Sequence, residues 1–267
     1  MTLSCYCNVL NFILSILLNL IIFLSYFQSL ESSVFIERKL NSLELKQEYQ
    51  DLILDYINRV GSYRDWESVR SIKLDGALYN NENVYEVSLI KKYPNKVRLV
   101  ARKSGKQFPQ LIQIQNGNTS YYSIQYLDGT IKEIDPIFDL SEETNLMPKL
   151  MHLLTNNIEN MSVSKNQDAQ NSVVYDFTIN DGTAYSFTLN KNTKSITEYS
   201  IKKNGTDLEF ELKGEIKGEI KSSRLKYPRQ VIYSSSKGST KLIFKKFDIN
   251  VGIPEYLFQK PKNRISI

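Results

Sequence analysis

Between Val84 and Lys213 the chain repeats one grammar, a short run of alternating apolar and polar side chains followed by a few residues that reverse direction. The reversals are Tyr93-Pro94-Asn95, Asn116-Gly117, Asp128-Gly129, Asp181-Gly182 and Asn204-Gly205. Asn-Gly and Asp-Gly tolerate the positive φ of tight hairpins, and proline presets a turn. Successive side chains of a strand point to opposite faces, so this pattern commits the chain to a large antiparallel sheet with one apolar face. The predicted strands are Val84–Lys91, Lys96–Lys103, Leu111–Gln115 and Ser120–Tyr126, then a four-strand meander through VVYDFTI, AYSFTLN, SITEYSI and DLEFELK. The repeat GEIKGEIK, Gly214–Lys221, reads as an exposed strand whose alternating charges protect a sheet edge. A last strand, Leu242–Phe247, turns Leu242, Phe244 and, one step out of phase, Phe247 toward a core. Beyond Gly252 and Pro254 the apolar Tyr256, Leu257 and Phe258 fold back onto a sheet that must be large and curved.

Two stretches follow helical spacing instead. Leu45, Tyr49, Leu52, Ile53, Tyr56, Ile57 and Val60 form one stripe on a helix from about Ser42 to Val60, with Gly61 as its stop. Trp66, Val69, Ile72 and Leu74 then pass from helical to strand spacing before Gly76. Between Ser141 and Asn160, Leu146, Met147, Leu150, Met151, Leu153, Leu154 and Ile158 predict a second helix inserted among the strands, with Pro148 near its start. It either covers one sheet face or serves as a movable lid, since soft methionines adapt to varied ligands.

From Val9 to Phe27 no charged residue occurs, close to the roughly 20 apolar residues that cross a bilayer as a helix. No lysine or arginine precedes this run, and small residues for a cleavage site are limited to Ser25, Ser29, Ser32 and Ser33, so both a cleaved signal peptide and a retained anchor stay open. Residues 1–30 are thus expected to be a signal or membrane anchor and 31–267 one exported domain. Both cysteines, Cys5 and Cys7, precede the apolar run, so the exported part has no disulfide framework. The net charge of +5, from 34 basic against 29 acidic residues, is a mixed balance rather than a nucleic-acid-binding arm. Lys91, Lys92, Lys96, Arg98, Arg102, Lys103 and Lys106 read chiefly as solvated strand faces, with contact to anionic lipid as the alternative.

Catalytic chemistry has little to stand on. His152 is the single histidine, in an apolar helical stretch and without a metal or nucleophile partner in sequence. The carboxylates Glu142, Glu143, Asp135 and Asp139 carry no spacing that marks an acid/base pair, and no glycine-rich phosphate loop occurs. Neither an enzyme nor a cofactor or metal is expected.

Several segments, taken in order, resemble the LolA-like outer-membrane lipoprotein-sorting proteins: the N-terminal helix and first strand Val69–Leu78, IKKYPNKVRLV at Ile90–Val100, NGNTSYYSI at Asn116–Ile124, MPKLMHLL at Met147–Leu154, and FDINVGIPEYLFQKP at Phe247–Pro261. The resemblance implies a mainly β (α+β) fold, an incomplete, strongly curved antiparallel β-barrel with an N-terminal helix and an inserted central helix as plug or lid. It implies non-enzymatic binding of the acyl chains of a lipoprotein or lipid between sheet and lid, in the periplasm or cell envelope of a bacterium, by a monomer. The alternative on the same fold is an anchored envelope sensor or protein-interaction module, held to the membrane through residues 9–27. Nucleic acid is not an expected partner. The cavity and lid candidates, assigned by inward phase, are Leu89, Val97, Leu99, Ile112, Tyr122, Ile124, Leu146, Met147, Leu150, Met151, Leu154, Phe244 and Phe258. Where the family carries a basic residue before the proline this chain has Tyr93, so Lys92, Tyr93 and Arg98 are the candidates for polar lid or head-group contact.

Overall fold

A computed structural model describes residue 40 and residues 46–80, 83–106, 108–117, 119–125, 131–133, 145–156, 161–203, 210–235 and 238–260. The segment 9–27, the turns at 128–129 and 204–205, and the carboxylates at 135, 139, 142 and 143 lie outside them. No helix among the described residues is long and apolar enough to cross a membrane.

Among the described residues thirteen antiparallel strands form one sheet. They are β1 (Ser71–Asn80), β2 (Asn83–Lys92), β3 (Lys96–Lys103), β4 (Leu111–Asn116), β5 (Thr119–Gln125), β6 (Ile131–Glu133), β7 (Met161–Asp168), β8 (Ser172–Ile179), β9 (Ala184–Asn190), β10 (Ser195–Lys203), β11 (Phe210–Ser222), β12 (Leu225–Ser235) and β13 (Gly238–Ile249). Their spatial order is β6-β5-β4-β3-β2-β1-β13-β12-β11-β10-β9-β8-β7, two meanders joined where β1 meets β13. Among the described residues β6 and β7 form the two edges and do not pair, so the sheet is open. It is also curved: Val97 and Leu99 of β3 share one apolar cluster with Val173 and Tyr175 of β8, from near the opposite end of the strand order.

Helix α1 (Gln47–Val60) crosses the concave face against β10 and β12. Its buried stripe is Tyr49, Leu52, Ile53, Tyr56, Ile57 and Val60, as the spacing predicted. Gly61 ends it at φ 122°, and a Cβ there would stand 2.5 Å from Leu225 Cδ2. Short helix α2 (Tyr63–Glu67) follows a capping box between Ser62 and Asp65. Its Trp66 donates from Nε1 to the Val60 carbonyl at 3.2 Å and stacks on Phe247. Helix α3 (Lys149–Asn156) adds buried Leu150, Met151, Leu153 and Leu154 to the same cluster. Among the described residues it starts at Lys149 rather than upstream of Leu146, because proline disfavours helical backbone in the residue before it. Leu146 and Met147 accordingly precede the helix, and its first turn closes from the His152 amide to the Pro148 carbonyl at 2.9 Å.

Two β-bulges set which side chains face inward. Opposite Asp75 and Gly76 the β13 register skips one residue, Asp75 pairing with Lys246 and Gly76 with Phe244. The extra residue, Lys245, resets the alternation, so Phe244 and Phe247 are both buried on the same side although three positions apart. The same device between Ile196 and Glu198 turns both Ile196 and Tyr199 inward. Gly76 lies inside β1 rather than at its end, at a contact so close that a Cβ would stand 2.1 Å from the Ile243 carbonyl oxygen.

The GEIKGEIK repeat belongs to β11, an interior strand in the sheet order, yet only Gly214 and Glu215 of the repeat pair with β10 as well as β12, and the registered pairs from Ile216 to Lys221 are with β12 alone. Ile216 and Ile220 point at the core, and Gly214 makes room for the Tyr199 ring, which a Cβ would meet at 2.2 Å. Of the two terminal strands, β7 is mostly exposed and is bulged between Lys165 and Gln167.

Candidate functional site

A cleft of about 260 Å³ opens on the concave face between the C-terminal half of α1, the segment Asn145–Lys149 and strands β2 and β9 to β13. Its walls are mostly apolar, with Val60, Leu89, Met147, Phe187, Ile196, Ile216, Val231 and Phe244 among them. Tyr56, Tyr199, Tyr227 and Tyr233 add rings. Strand alternation supplies the sheet residues, since Leu89 and Lys91 share the inward phase of β2, and Tyr227, Val231 and Tyr233 that of β12. The Tyr227 ring stands edge-on to Phe244 at 6.2 Å and against Phe247 at 5.6 Å, which fixes its hydroxyl.

Five charged side chains line this apolar space: Arg59, Lys91, Lys149, Lys226 and one acid, Glu219. Arg59 holds Glu219 through Nε at 2.7 Å, which raises the guanidinium pKa further and ties α1 to β11. Lys226 stands 3.7 Å from the other Glu219 oxygen. Lys91 is only 3% exposed, and its ammonium donates to the Tyr227 hydroxyl at 3.0 Å and to the Asn145 carbonyl at 3.4 Å. Lys149 lies over the Tyr199 ring at 5.5 Å. Burial pushes the Tyr56 phenol well above its ordinary pKa, with Glu219 reinforcing the shift.

Of the predicted cavity residues, Leu89, Met147 and Phe244 line the cleft. Val97, Leu99, Leu146, Leu150, Met151 and Leu154 belong to the adjoining buried core cluster and are not among the residues that line this cleft. Tyr122 and Ile124 belong to β5, whose side chains fall outside the described residues. Ile112 and Phe258 lie on the opposite face: with Ile90, Ile114 and Ile253 they form a separate cluster under the C-terminal 3₁₀ turn Glu255–Phe258. Ile112 has the outward phase of β4, directly across from Val100.

Lys92 and Arg98 are also outward, and they clasp this turn rather than the central helix. Lys92 donates to the Ile253 carbonyl at 2.7 Å and Arg98 to the Leu257 carbonyl at 2.6 Å. Glu255 bridges Lys92 at 2.6 Å and Lys96 at 2.5 Å, and these two lysines hold its carboxyl down at about 2. Desolvation lowers the Arg98 pKa. Tyr93 is 57% exposed, with the Arg70 guanidinium 5.1 Å above its ring. The basic run is therefore divided among a buried cleft residue, a clasp and, at Arg102, an ion pair with Glu86. His152 is half-buried on α3, with Nδ1 2.8 Å from the Asn156 amide. No group of three or more metal-ligating side chains occurs among the described residues.

An open, curved antiparallel sheet with helices across its concave face and an apolar cleft between them is the half-barrel architecture expected of a LolA-like chain, and this chain forms it. Among solved structures it is similar to a DUF1329 family protein from Desulfovibrio piger, at 8% identity and TM-score 0.48 over 78% of this chain and 95% of that one. A LolA superfamily protein from Nitrosomonas europaea is similar at 8% identity and TM-score 0.45 over 78% and 96%. A putative outer membrane lipoprotein-sorting protein domain from Vibrio parahaemolyticus is similar at 12% identity and TM-score 0.45 over 78% and 94%. No protein-family model and no curated protein matches the chain.

Proposed function

We propose that the protein is a non-enzymatic binder of acyl chains, taking the hydrocarbon of a lipid or lipoprotein into the concave cleft for transport or sorting in a bacterial cell envelope. The observation that carries this reading is the cleft itself, an apolar-lined space of about 260 Å³ beneath α1 and the Asn145–Lys149 segment. Kept dry and empty, such a volume would cost at most about 6 kcal/mol at roughly 24 cal/mol per Å³. A chain that fills it gains about 0.8 kcal/mol for each methylene removed from water. Residues 9–27, if retained, would hold the domain at the membrane from which such a ligand comes.

The test fills the cleft instead of unfolding it. Met147→Trp and Ile196→Trp add volume at two lining positions. A photoactivatable palmitic acid should crosslink to peptides carrying Leu89 or Phe244 in the unaltered full chain, and that labelling should fall at least tenfold in either variant. Labelling that is absent from these peptides, or indifferent to both variants, refutes the reading.

A further inference from the structure

Beyond Glu215 and Gln230 the hairpin of β11 and β12 leaves the sheet on both sides. β10 pairs with β11 from the Lys203–Phe210 rung to the Glu198–Glu215 rung, and β13 pairs with β12 from the Ser235–Gly238 rung to the Gln230–Ile243 rung. Past these rungs the hairpin runs on to the Ser222–Leu225 rung with ladder pairs only within itself, while β13 continues to Ile249 against β1. Two residues suit this detachment. Gly218 takes φ 66°, a conformation that residues with a Cβ rarely adopt, between the Lys217–Gln230 and Glu219–Pro228 rungs. Pro228 has no N–H to give a further strand, so it belongs on an edge.

This two-stranded arm, residues 218–229, is one wall of the cleft, which Gly218, Glu219, Lys226, Tyr227 and Pro228 line. Side chains tie it down where the flanking ladders have ended. Leu225, 3% exposed, sits against Gly61 at the end of α1. The Tyr227 ring rests against Phe244 and Phe247, and its hydroxyl accepts from Lys91 at 3.0 Å. Arg59 of α1 donates to Glu219 on the arm at 2.7 Å and also to the Thr193 carbonyl in the turn between β9 and β10, so it spans the two lips of the cleft. A segment without flanking ladders opens at lower free energy than strands bonded on both sides, and it can swing as a unit about a few hinge residues.

Resting on the acyl-binding reading for its purpose, we propose that this arm is the gate of the cleft. It pivots at Gly218 and at the facing Pro228–Gln230 segment, lifts Leu225 and Tyr227 off the concave face, and admits the ligand between itself and the turn at Thr193. Arg59 is the latch, and the gate opens when it releases Glu219.

The experiment uses the full chain with Cys5→Ser and Cys7→Ser, in micelles of an uncharged detergent. Leu225→Cys reports lifting of the arm. Leu78→Cys, at a position also 3% exposed but paired by strands on both sides, reports opening of the sheet itself. The thiol at 225 should react with a maleimide at least tenfold faster than the thiol at 78, and equal rates would overturn the gate whatever the cleft binds. In a second arm of the test, Arg59→Cys and Glu219→Cys are joined by a bismaleimide whose spacer carries a reducible disulfide. Labelling of the Phe244 peptide by the palmitic acid probe should start at least tenfold more slowly in the tied protein and recover on reduction. Equal labelling of tied and reduced protein would overturn the proposal. So would the same slowing by two unlinked N-ethylmaleimide caps, since bulk and not tethering would then be its cause. No labelling of that peptide before tying would overturn the acyl-binding reading and with it the purpose of the gate, while the two thiol rates still decide whether the arm lifts. Those rates also decide the matter where the doubly substituted chain does not fold.

Discussion

Replacing Gly76 by alanine should destabilise the protein severely, because this glycine sits where the two meanders join. The added Cβ would lie 2.1 Å from the Ile243 carbonyl oxygen and 2.8 Å from Phe244 Cα, both backbone atoms of β13 that cannot rotate away. Ordinary contact begins near 3.4 Å, so β1 and β13 must part by about 1.3 Å at this rung, the difference between 3.4 and 2.1. A ladder hydrogen bond stretched that far is lost. Two or three lost bonds, at about 0.5–1.5 kcal/mol each, and loosened packing of Phe244 and Phe247 sum to about 3–5 kcal/mol. That is a large part of the roughly 5–15 kcal/mol that holds a domain together. Urea unfolding followed by far-ultraviolet circular dichroism measures the loss. Fluorescence of Trp66, the single tryptophan, reports on the same seam, since its ring stacks on Phe247 at 6.4 Å between centroids. Gly252→Ala is the control, as a Cβ there meets nothing within 4 Å, and it should change stability by under about 1 kcal/mol. A Gly76→Ala protein with the same unfolding midpoint as Gly252→Ala would refute the reasoning.

Three further outcomes follow from the same geometry. Phe258→Ala removes a ring with 0% exposure from the convex cluster and should cost about 3 kcal/mol in urea melts, while probe labelling in the concave cleft stays unchanged. Gly214→Ala drives a Cβ to 2.2 Å from the Tyr199 ring, a side chain that can shift, so about 1–3 kcal/mol is expected, with altered labelling because Tyr199 lines the cleft. The Glu255 carboxyl is held at about 2 by Lys92 and Lys96, below the roughly 4.3 of a free glutamate, so its contribution is fully present above the unfolded value and is lost as pH falls through the folded one. Carboxyl chemical shifts should place its titration near 2, and Lys96→Met should move that midpoint upward.

The hairpins were legible in the sequence because their chemistry is local: Asp181-Gly182 turns β8 into β9, and Tyr93-Pro94-Asn95 turns β2 into β3. The α1 stripe and its Gly61 stop were equally plain. The bulges were not, since an inserted Lys245 looks like any exposed lysine until the partner strand is seen, although the out-of-phase Phe247 was its trace. Strand β7 escaped because MSVSKNQD lies at an exposed edge and shows no apolar alternation. The cleft was half legible. Leu89, Met147 and Phe244 fell where inward phase put them, but Ile112 and Phe258 did not, as strand phase says only that residues share a face and not which face is concave. Lys91 was hidden in a basic run that reads as solvated surface, and the one available signal was that it shares the phase of Leu89.

The seam between β1 and β13 also governs the order in which the sheet can assemble. Ile72 pairs with Ile249 and Leu78 with Leu242, so on a ribosome β1 emerges long before its second partner exists. Until β13 is made, β1 is the bare edge of a half-finished sheet, with Ile72 and Leu74 uncovered by the Phe244 and Phe247 side. Pairings so distant in sequence are slow to form, and unpaired apolar edges are where nascent chains stick to one another. A rearranged gene that starts at β7 and links the end of β13 to α1 would make every neighbouring pair of strands consecutive, and would let this sheet close as it is synthesised.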